Sequence, residues 1–146
     1  MKSNEPPQAL ASAATAARFH HPVRVYWEDT DAGGIVFYAN YLKFFERART
    51  EWLRALGHGQ QEMVDTTGCM FVVLDTRVRF LKPARLDDLL VVTVEITAQS
   101  RVTLTIAQQA WCGDRLLAEG EIRIGCIERA TMKPQRIPVL LSEAFA

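Results

Sequence analysis

Two aspartates and two glycines stand together in the segment DTDAGGIVFYANY, residues 29–41. An apolar run at 23–27 predicts a strand before it, and a long amphipathic run predicts a helix after it. The first N–H groups of a helix lack intrahelical partners and form its positive end, so they polarise a carbonyl group. Asp31, seven residues before Tyr38, would lie beside that carbonyl and attack it or activate a water. The spacing therefore predicts acyl transfer without serine, histidine or metal.

The same loop allows two other interpretations. Asp, Thr and Gly are usual in a solvated turn, although a turn does not require the apolar residues at 35–38. An acid pair spaced D-x-D after an apolar strand also resembles the nucleophile motif of haloacid dehalogenase-like phosphatases. That family has a parallel, doubly wound sheet, whereas the short strand links in this chain predict an antiparallel sheet. Acyl transfer is also favoured by Gly33 and Gly34, which let a substrate approach the backbone closely.

One long helix is predicted over residues 40–56, with Gly57 as its stop signal. Its apolar residues recur at offsets of three and four: Tyr41, Phe45, Ala48, Trp52 and Leu56. At 1.5 Å per residue such a helix runs roughly 25 Å, which is enough to span a sheet. This stripe is more typical of a core face than of a binding site.

Beyond the helix the apolar period changes from 3.6 to 2. Alternating runs predict strands at 71–80, 90–96, 102–106 and 116–126. The links AQSR and CGDR are hairpin sized, so these strands are antiparallel. With the first strand they predict an α+β domain, one long central helix packed on a five-stranded antiparallel sheet. A lone sheet of this kind leaves an edge and a face open, which predicts at least a homodimer.

Composition limits the remaining possibilities. The 146 residues predict a disordered tail at 1–19 and a single domain at 20–146. The tail lacks the apolar stretch of a signal peptide, and no run reaches the ~18 apolar residues of a membrane span, so a cytoplasmic protein is expected. Seventeen basic and seventeen acidic side chains cancel, which argues against a nucleic-acid partner.

Cys69, Cys112 and Cys126 match neither a disulfide framework nor a zinc site, and they are expected as buried thiols.

The segment EDTDAGGIVFYANYLKFFERARTEWLR resembles the signature of the 4-hydroxybenzoyl-CoA thioesterase-like branch of the hotdog-fold superfamily. LKPARLDDLL and MKPQRIP further resemble the Tol-Pal-associated acyl-CoA thioesterase group. The resemblance covers residues 23 to about 140. It implies a hotdog fold and hydrolysis of thioesters of coenzyme A, or of acyl carrier protein, without a cofactor or metal. It also implies homodimers with sites at the subunit interface, often assembled into a homotetramer.

Site residues follow from the resemblance by position. Asp31 matches the catalytic carboxylate, and the backbone N–H of Tyr38 matches the donor to the thioester carbonyl. The loop entering the helix is matched by Gly34, Ile35 and Val36, and recurrent helix positions by Asn40, Tyr41 and Glu46. Many Tol-Pal-associated members have His where this chain has Tyr38, whereas the hydroxybenzoyl-CoA enzymes have Tyr. The acyl preference is therefore left open.

Three charged residues carry two interpretations each. Glu46 is a second catalytic acid or a solvated partner of Lys43, which lies three positions earlier on the helix. Arg101 and Lys82 contact the phosphates of coenzyme A or are solvated charges.

Two alternatives on this fold are a dehydratase and a non-catalytic binding module. No histidine lies in the predicted site, which argues against the hotdog dehydratases, since these typically pair a His with an acid. The second function considered is a non-catalytic hotdog module that binds acyl carriers or envelope-maintenance proteins.

Overall fold

A computed structural model describes residues 18–145 and confirms the α+β architecture, with a long helix across a five-stranded antiparallel sheet. The strands are β1 (Phe19–Arg24), β2 (Cys69–Phe80), β3 (Leu89–Gln99), β4 (Thr103–Cys112) and β5 (Arg115–Glu128). Their order in the sheet is β1-β3-β4-β5-β2. The helices are α1 (Asn40–Ala55), α2 (Gln60–Thr67) and α3 (Val139–Ala144). The short α2 and α3 were not predicted.

The core lies between α1 and one face of the sheet. Of the predicted apolar stripe, Tyr41, Phe45 and Ala48 are buried, while Trp52 and Leu56 are only half-buried. Phe44 and Leu53 are buried as well, so the apolar face of α1 is wider than the stripe. A Cβ on Gly120 of β5 would lie 3.0 Å from Cε2 of Phe45, so this glycine lets the aromatic ring pack directly on the strand.

The first strand begins earlier than predicted. It was expected at 23–27, but β1 covers Phe19–Arg24, and Trp27–Asp29 forms a 3-10 turn in which Trp27 is 80% exposed. The strand is fixed by antiparallel pairing with β3, where Phe19 faces Val94, and local sequence does not reveal such pairing. Phe19, the last residue of the predicted tail, is the first residue of this strand. Residues 1–17 of the predicted tail lie outside the described residues.

Strand β2 departs from the prediction of one buried face. Val73, Leu74 and Phe80 are each about half exposed, at 52%, 47% and 51%. The strand lies at the edge of the sheet and has a register shift between Val73 and Asp75. Helix α1 packs mainly on β1 and β3 at the other side of the sheet, so within residues 18–145 these side chains are only partly covered. Apolar and polar residues do alternate along β2, but several of its apolar side chains are exposed.

The cysteines also differ from the prediction of three thiols. Cys69 and Cys126 form a disulfide, with Cα atoms 6.3 Å apart, while Cys112 is free and half-buried. The two bonded residues lie 57 positions apart in the chain and meet only because β2 pairs with β5. Within residues 18–145, no helix is long and apolar enough to span a membrane.

Candidate functional site

The acid and glycine segment folds as a small hairpin between β1 and α1. The N–H of Asp31 donates to the Ile35 carbonyl at 2.9 Å, and the N–H of Gly34 donates to the Asp31 carbonyl at 3.0 Å. Gly34 makes the turn with a φ of +79°, a left-handed conformation that glycine adopts without a steric penalty. The N–H of Val36 donates to the Ala84 carbonyl at 2.8 Å, which attaches the hairpin to the segment between β2 and β3. The loop is thus held by backbone bonds on both sides.

The two aspartates of the hairpin have different environments. Asp31 is exposed, and its Oδ1 accepts a 2.8 Å bond from the N–H of Gly33. Asp29 is buried, with 3% exposure, and both of its carboxylate oxygens accept bonds from protein donors. Only Asp31 therefore has a carboxylate that a substrate or a water can approach.

The start of α1 provides backbone donors next to this loop. The helix begins at Asn40, whose N–H donates to the Phe37 carbonyl at 2.8 Å. Within the described residues, the N–H groups of Tyr38 and Ala39 have no protein acceptor. The first turn of α1 contains no acidic residue, so its positive end is not neutralised from within the helix. The predicted donor, the N–H of Tyr38, is therefore available to a carbonyl oxygen.

An apolar cavity of about 340 Å³ opens beside the helix start. Five of the ten predicted site residues line it: Ile35, Val36, Tyr38, Tyr41 and Lys82. Phe80 forms another wall, with its ring 5.6 Å from that of Tyr41 and 6.1 Å from that of Tyr38. Burial raises the pKa of Tyr41, so its hydroxyl stays neutral at ordinary pH. Lys82 is the one basic side chain of the lining, and it can attract an anionic group to the rim.

Three predicted site residues lie elsewhere in the single chain. Asn40 is buried and its amide donates to Asp29, so this side chain supports the loop instead of facing a ligand. Glu46 is exposed and lines a different cleft on α1. Arg101 lies in the turn after β3, at the opposite end of that strand from the loop, and ten residue steps along β3 span roughly 33 Å. Contacts of Glu46 and Arg101 with substrate stay predictions.

The structure adds site features that the sequence analysis missed. Phe80 was assigned only to a strand, but it forms part of the cavity because it ends β2 next to the helix start. The Ala84 carbonyl accepts a hydrogen bond from the loop, and the sequence does not reveal this contact because it is made by a backbone group. Both come from a segment more than forty residues after the loop, and only the folded sheet brings the two together.

Comparisons with known proteins identify relatives of this chain. Residues 33–119 match the family model described as the thioesterase superfamily. The chain is 40% identical to the acyl-CoA thioesterase YbgC of Haemophilus influenzae over 127 residues, covering 87% of this chain and 93% of that protein. It is 43% identical to the acyl-CoA thioester hydrolase YbgC of Escherichia coli O6:H1 over 128 residues, covering 87% of this chain and 95% of that protein.

Solved structures share the fold. A probable thioesterase from Bartonella henselae superposes with a TM-score of 0.80 at 32% identity, covering 84% of this chain and all of that one. A protein from Aquifex aeolicus gives a TM-score of 0.83 at 30% identity, covering 88% of this chain and 99% of that one. These matches confirm the predicted hotdog fold, with its central helix on a five-stranded sheet. The chain belongs to the thioesterase superfamily.

Proposed function

We propose that this chain is an acyl-CoA thioesterase, which hydrolyses an acyl-CoA to the free acid and coenzyme A. One observation carries the proposal: the N–H of Tyr38, which has no acceptor among residues 18–145, lies with an apolar cavity and the exposed carboxylate of Asp31 at one loop-to-helix junction. The identity to acyl-CoA thioesterases of Haemophilus influenzae and Escherichia coli supports the same activity.

The chemistry follows from charge development. The thioester oxygen accepts a hydrogen bond from the N–H of Tyr38, and the positive helix end stabilises the negative charge that this oxygen gains on attack. Asp31 acts in one of two ways. As a nucleophile it forms a mixed anhydride, releases the thiolate and is regenerated by water; as a base it takes a proton from the attacking water. In both routes one water is consumed, the C–S bond breaks and the thiol leaves with a proton.

Substrate binding extends the proposal to the cavity. The acyl group lies against Ile35, Tyr41 and Phe80, since these side chains offer an apolar surface close to Tyr38. Lys82 at the rim contacts a phosphate of coenzyme A, and a thioester of acyl carrier protein is the alternative substrate. A cytoplasmic location, where such thioesters are made and used, stays part of this proposal.

Assembly is proposed from the open edge of the sheet. Strand β2 has a free hydrogen-bonding edge and exposes Val73, Leu74 and Phe80, so two chains are expected to pair here as a homodimer, which then forms a homotetramer. Antiparallel pairing of two β2 edges sets the far end of one sheet beside the cavity of the other. This is how Arg101 would reach coenzyme A. Light scattering that found only a 16.5 kDa species at micromolar concentration would contradict this assembly.

The test of the activity is Asp31→Asn, which keeps the shape of the side chain and removes its charge. Release of free thiol is measured with acetyl-, hexanoyl- and benzoyl-CoA. We expect kcat to fall by at least ~10², with KM little changed, because a positioned acid–base or nucleophilic group is lost. Glu28→Gln is the matched control, since Glu28 is an exposed acid of the preceding turn and its loss should leave kcat unchanged.

Three results separate the possibilities. Near wild-type turnover by Asp31→Asn would refute the carboxylate mechanism. If the unmodified protein cleaved none of the three thioesters, the non-catalytic binding module would be favoured instead. Equal losses in Asp31→Asn and Glu28→Gln would mean that charge alone, and not the position of Asp31, sets the rate.

A further inference from the structure

Asp29 connects three segments of the site from a buried position. Its Oδ2 accepts a 2.8 Å bond from the N–H of Tyr26, which lies two residues after β1 and begins the 3-10 turn. Its Oδ1 accepts a 2.8 Å bond from Nδ2 of Asn40, the first residue of α1. Its carbonyl accepts a 2.9 Å bond from the N–H of Phe37, the residue before Tyr38. One residue therefore fixes the loop on both sides of the Asp31 hairpin.

Asn40 is the matching donor. It is 7% exposed, and its side-chain amide points away from the helix axis to Asp29 instead of to solvent. A buried carboxylate is costly unless donors satisfy it, and Asn40 and Tyr26 supply them. The contact therefore requires a hydrogen-bond acceptor at position 29 and a donor at position 40.

The Asp29–Asn40 bond lies at a helix start that has no side-chain cap. The N-cap residue is Ala39, and no side chain caps the first turn. The N–H groups of Asn40 and Leu42 in this turn donate instead to backbone carbonyls, those of Phe37 and Ala39. The Asp29–Asn40 bond holds the helix start from the side and leaves the N–H groups of Tyr38 and Ala39 without an acceptor among the described residues.

We propose that Asp29 and Asn40 are a positioning pair, which sets the Tyr38 N–H and the Asp31 loop in register for the reaction without capping the helix. The inference rests on the proposed thioesterase function. Neither residue contacts substrate. The match of one donor, Asn40, with one acceptor, Asp29, controls turnover by holding the loop in place.

A reciprocal exchange tests the pair. Asp29→Asn leaves one amide oxygen for two donors, the N–H of Tyr26 and the amide of Asn40, and Asn40→Asp sets two carboxylates together, so each single variant loses at least one of these bonds. The double variant, Asp29→Asn with Asn40→Asp, restores one donor and one acceptor in reversed order. We expect each single variant to lose about tenfold or more in kcat through mispositioning, and the double variant to recover most of that loss.

The readouts distinguish positioning from folding. Turnover is measured on benzoyl- and hexanoyl-CoA well below the unfolding transition, and urea midpoints are measured in parallel. A positioning role lowers kcat and leaves KM within about twofold, because the walls of the cavity are untouched. A merely structural role lowers the urea midpoint and leaves the kcat of the folded enzyme at the wild-type value, and this result would overturn the proposal.

A milder variant keeps the proposal testable if a charged variant does not fold. Asn40→Ala removes one bond without placing like charges together, and wild-type kcat in this variant would equally count against the pair. If the double variant recovered the urea midpoint but not kcat, that result would also count against the positioning pair. Failure of the proposed function looks different, since the unmodified protein would then release no thiol from either acyl-CoA.

Discussion

Gly34→Ala should reduce stability without displacing the carboxylate of Asp31. Gly34 has a φ of +79°, and a Cβ added there would meet nothing within 4 Å. The free energy of unfolding should therefore fall only by the backbone penalty, which is about 1–2 kcal/mol for an L-residue in the left-handed region. For a chain of this length we expect a fall of very roughly 3–8 °C in Tm. The hydrogen bond from Gly33 to Asp31 has no reason to change.

The neighbouring Gly33→Ala should have the opposite profile. Its φ is not in the left-handed region, but an added Cβ would lie 3.1 Å from Oδ1 of Asp31. The carboxylate must then move by a few tenths of an ångström. Stability should stay within about 0.5 kcal/mol of the wild type, as for most surface changes. Misplacement of the reacting group should lower kcat/KM on the order of tenfold, which is about 1.4 kcal/mol of transition-state stabilisation.

The two alanine variants are compared by thiol release from one acyl-CoA and by urea unfolding at one protein concentration, since assembly makes apparent stability depend on concentration. Wild-type kcat/KM in Gly33→Ala would refute the reasoning, because the position of the Asp31 carboxylate would then not set the rate. A large loss of stability in the same variant would also contradict it, as would an unchanged Tm in Gly34→Ala.

Two further predictions concern the interior and pH. Gln108 is fully buried between α1 and the sheet, where its Oε1 accepts a 2.8 Å bond from Arg49. Gln108→Leu should lower the free energy of unfolding by about 1–3 kcal/mol, measured by urea titration, because the half-buried guanidinium loses its acceptor; an unchanged midpoint would contradict this. The pKa of His20 is lowered by burial and by the charge of Arg18, so its folded state favours the neutral ring. Its stabilising contribution is present above the unfolded pKa of about 6.5 and is lost as pH falls through the folded pKa. Wild type should therefore lose more Tm than His20→Gln between about pH 7 and 5, and parallel curves would argue against it.

Local signals explain which elements the sequence predicted well. Helix α1 was expected at 40–56 and is found at Asn40–Ala55, because an apolar stripe and the stop signal of Gly57 lie within the segment itself. Strand β5 was expected at 116–126 and is found at Arg115–Glu128 for the same reason, its alternation being continuous. Strand β1 was misplaced because its limits are set by pairing with β3, about seventy residues away along the chain. The disulfide between Cys69 and Cys126 depends on the same kind of distant pairing.

In the candidate site, too, the sequence indicates the parts that come from one contiguous segment and misses those that come from distant strands. The loop, the helix start and the side walls formed by Ile35, Val36 and Tyr41 come from one contiguous segment, so a single pattern was enough to indicate them. The wall contributed by Phe80 comes from β2, and no local feature of that strand marks it as part of a cavity. Asn40 was assigned to substrate because sequence alone cannot show that its amide is used by a buried carboxylate.

The D-x-D spacing itself bears on the phosphatase alternative. That chemistry requires the two carboxylates to converge on one phosphate or metal ion. In this fold, Asp29 ends the 3-10 turn and directs its oxygens inward to Tyr26 and Asn40, whereas Asp31, beyond the bridge residue Thr30, is exposed in the hairpin. Turning Asp29 outward would break both bonds and leave the amide of Asn40 buried without that acceptor. The pair therefore divides into one buried acid that holds the loop and one exposed acid in the hairpin. This division suits attack on a single carbonyl carbon and does not suit a shared phosphoryl group.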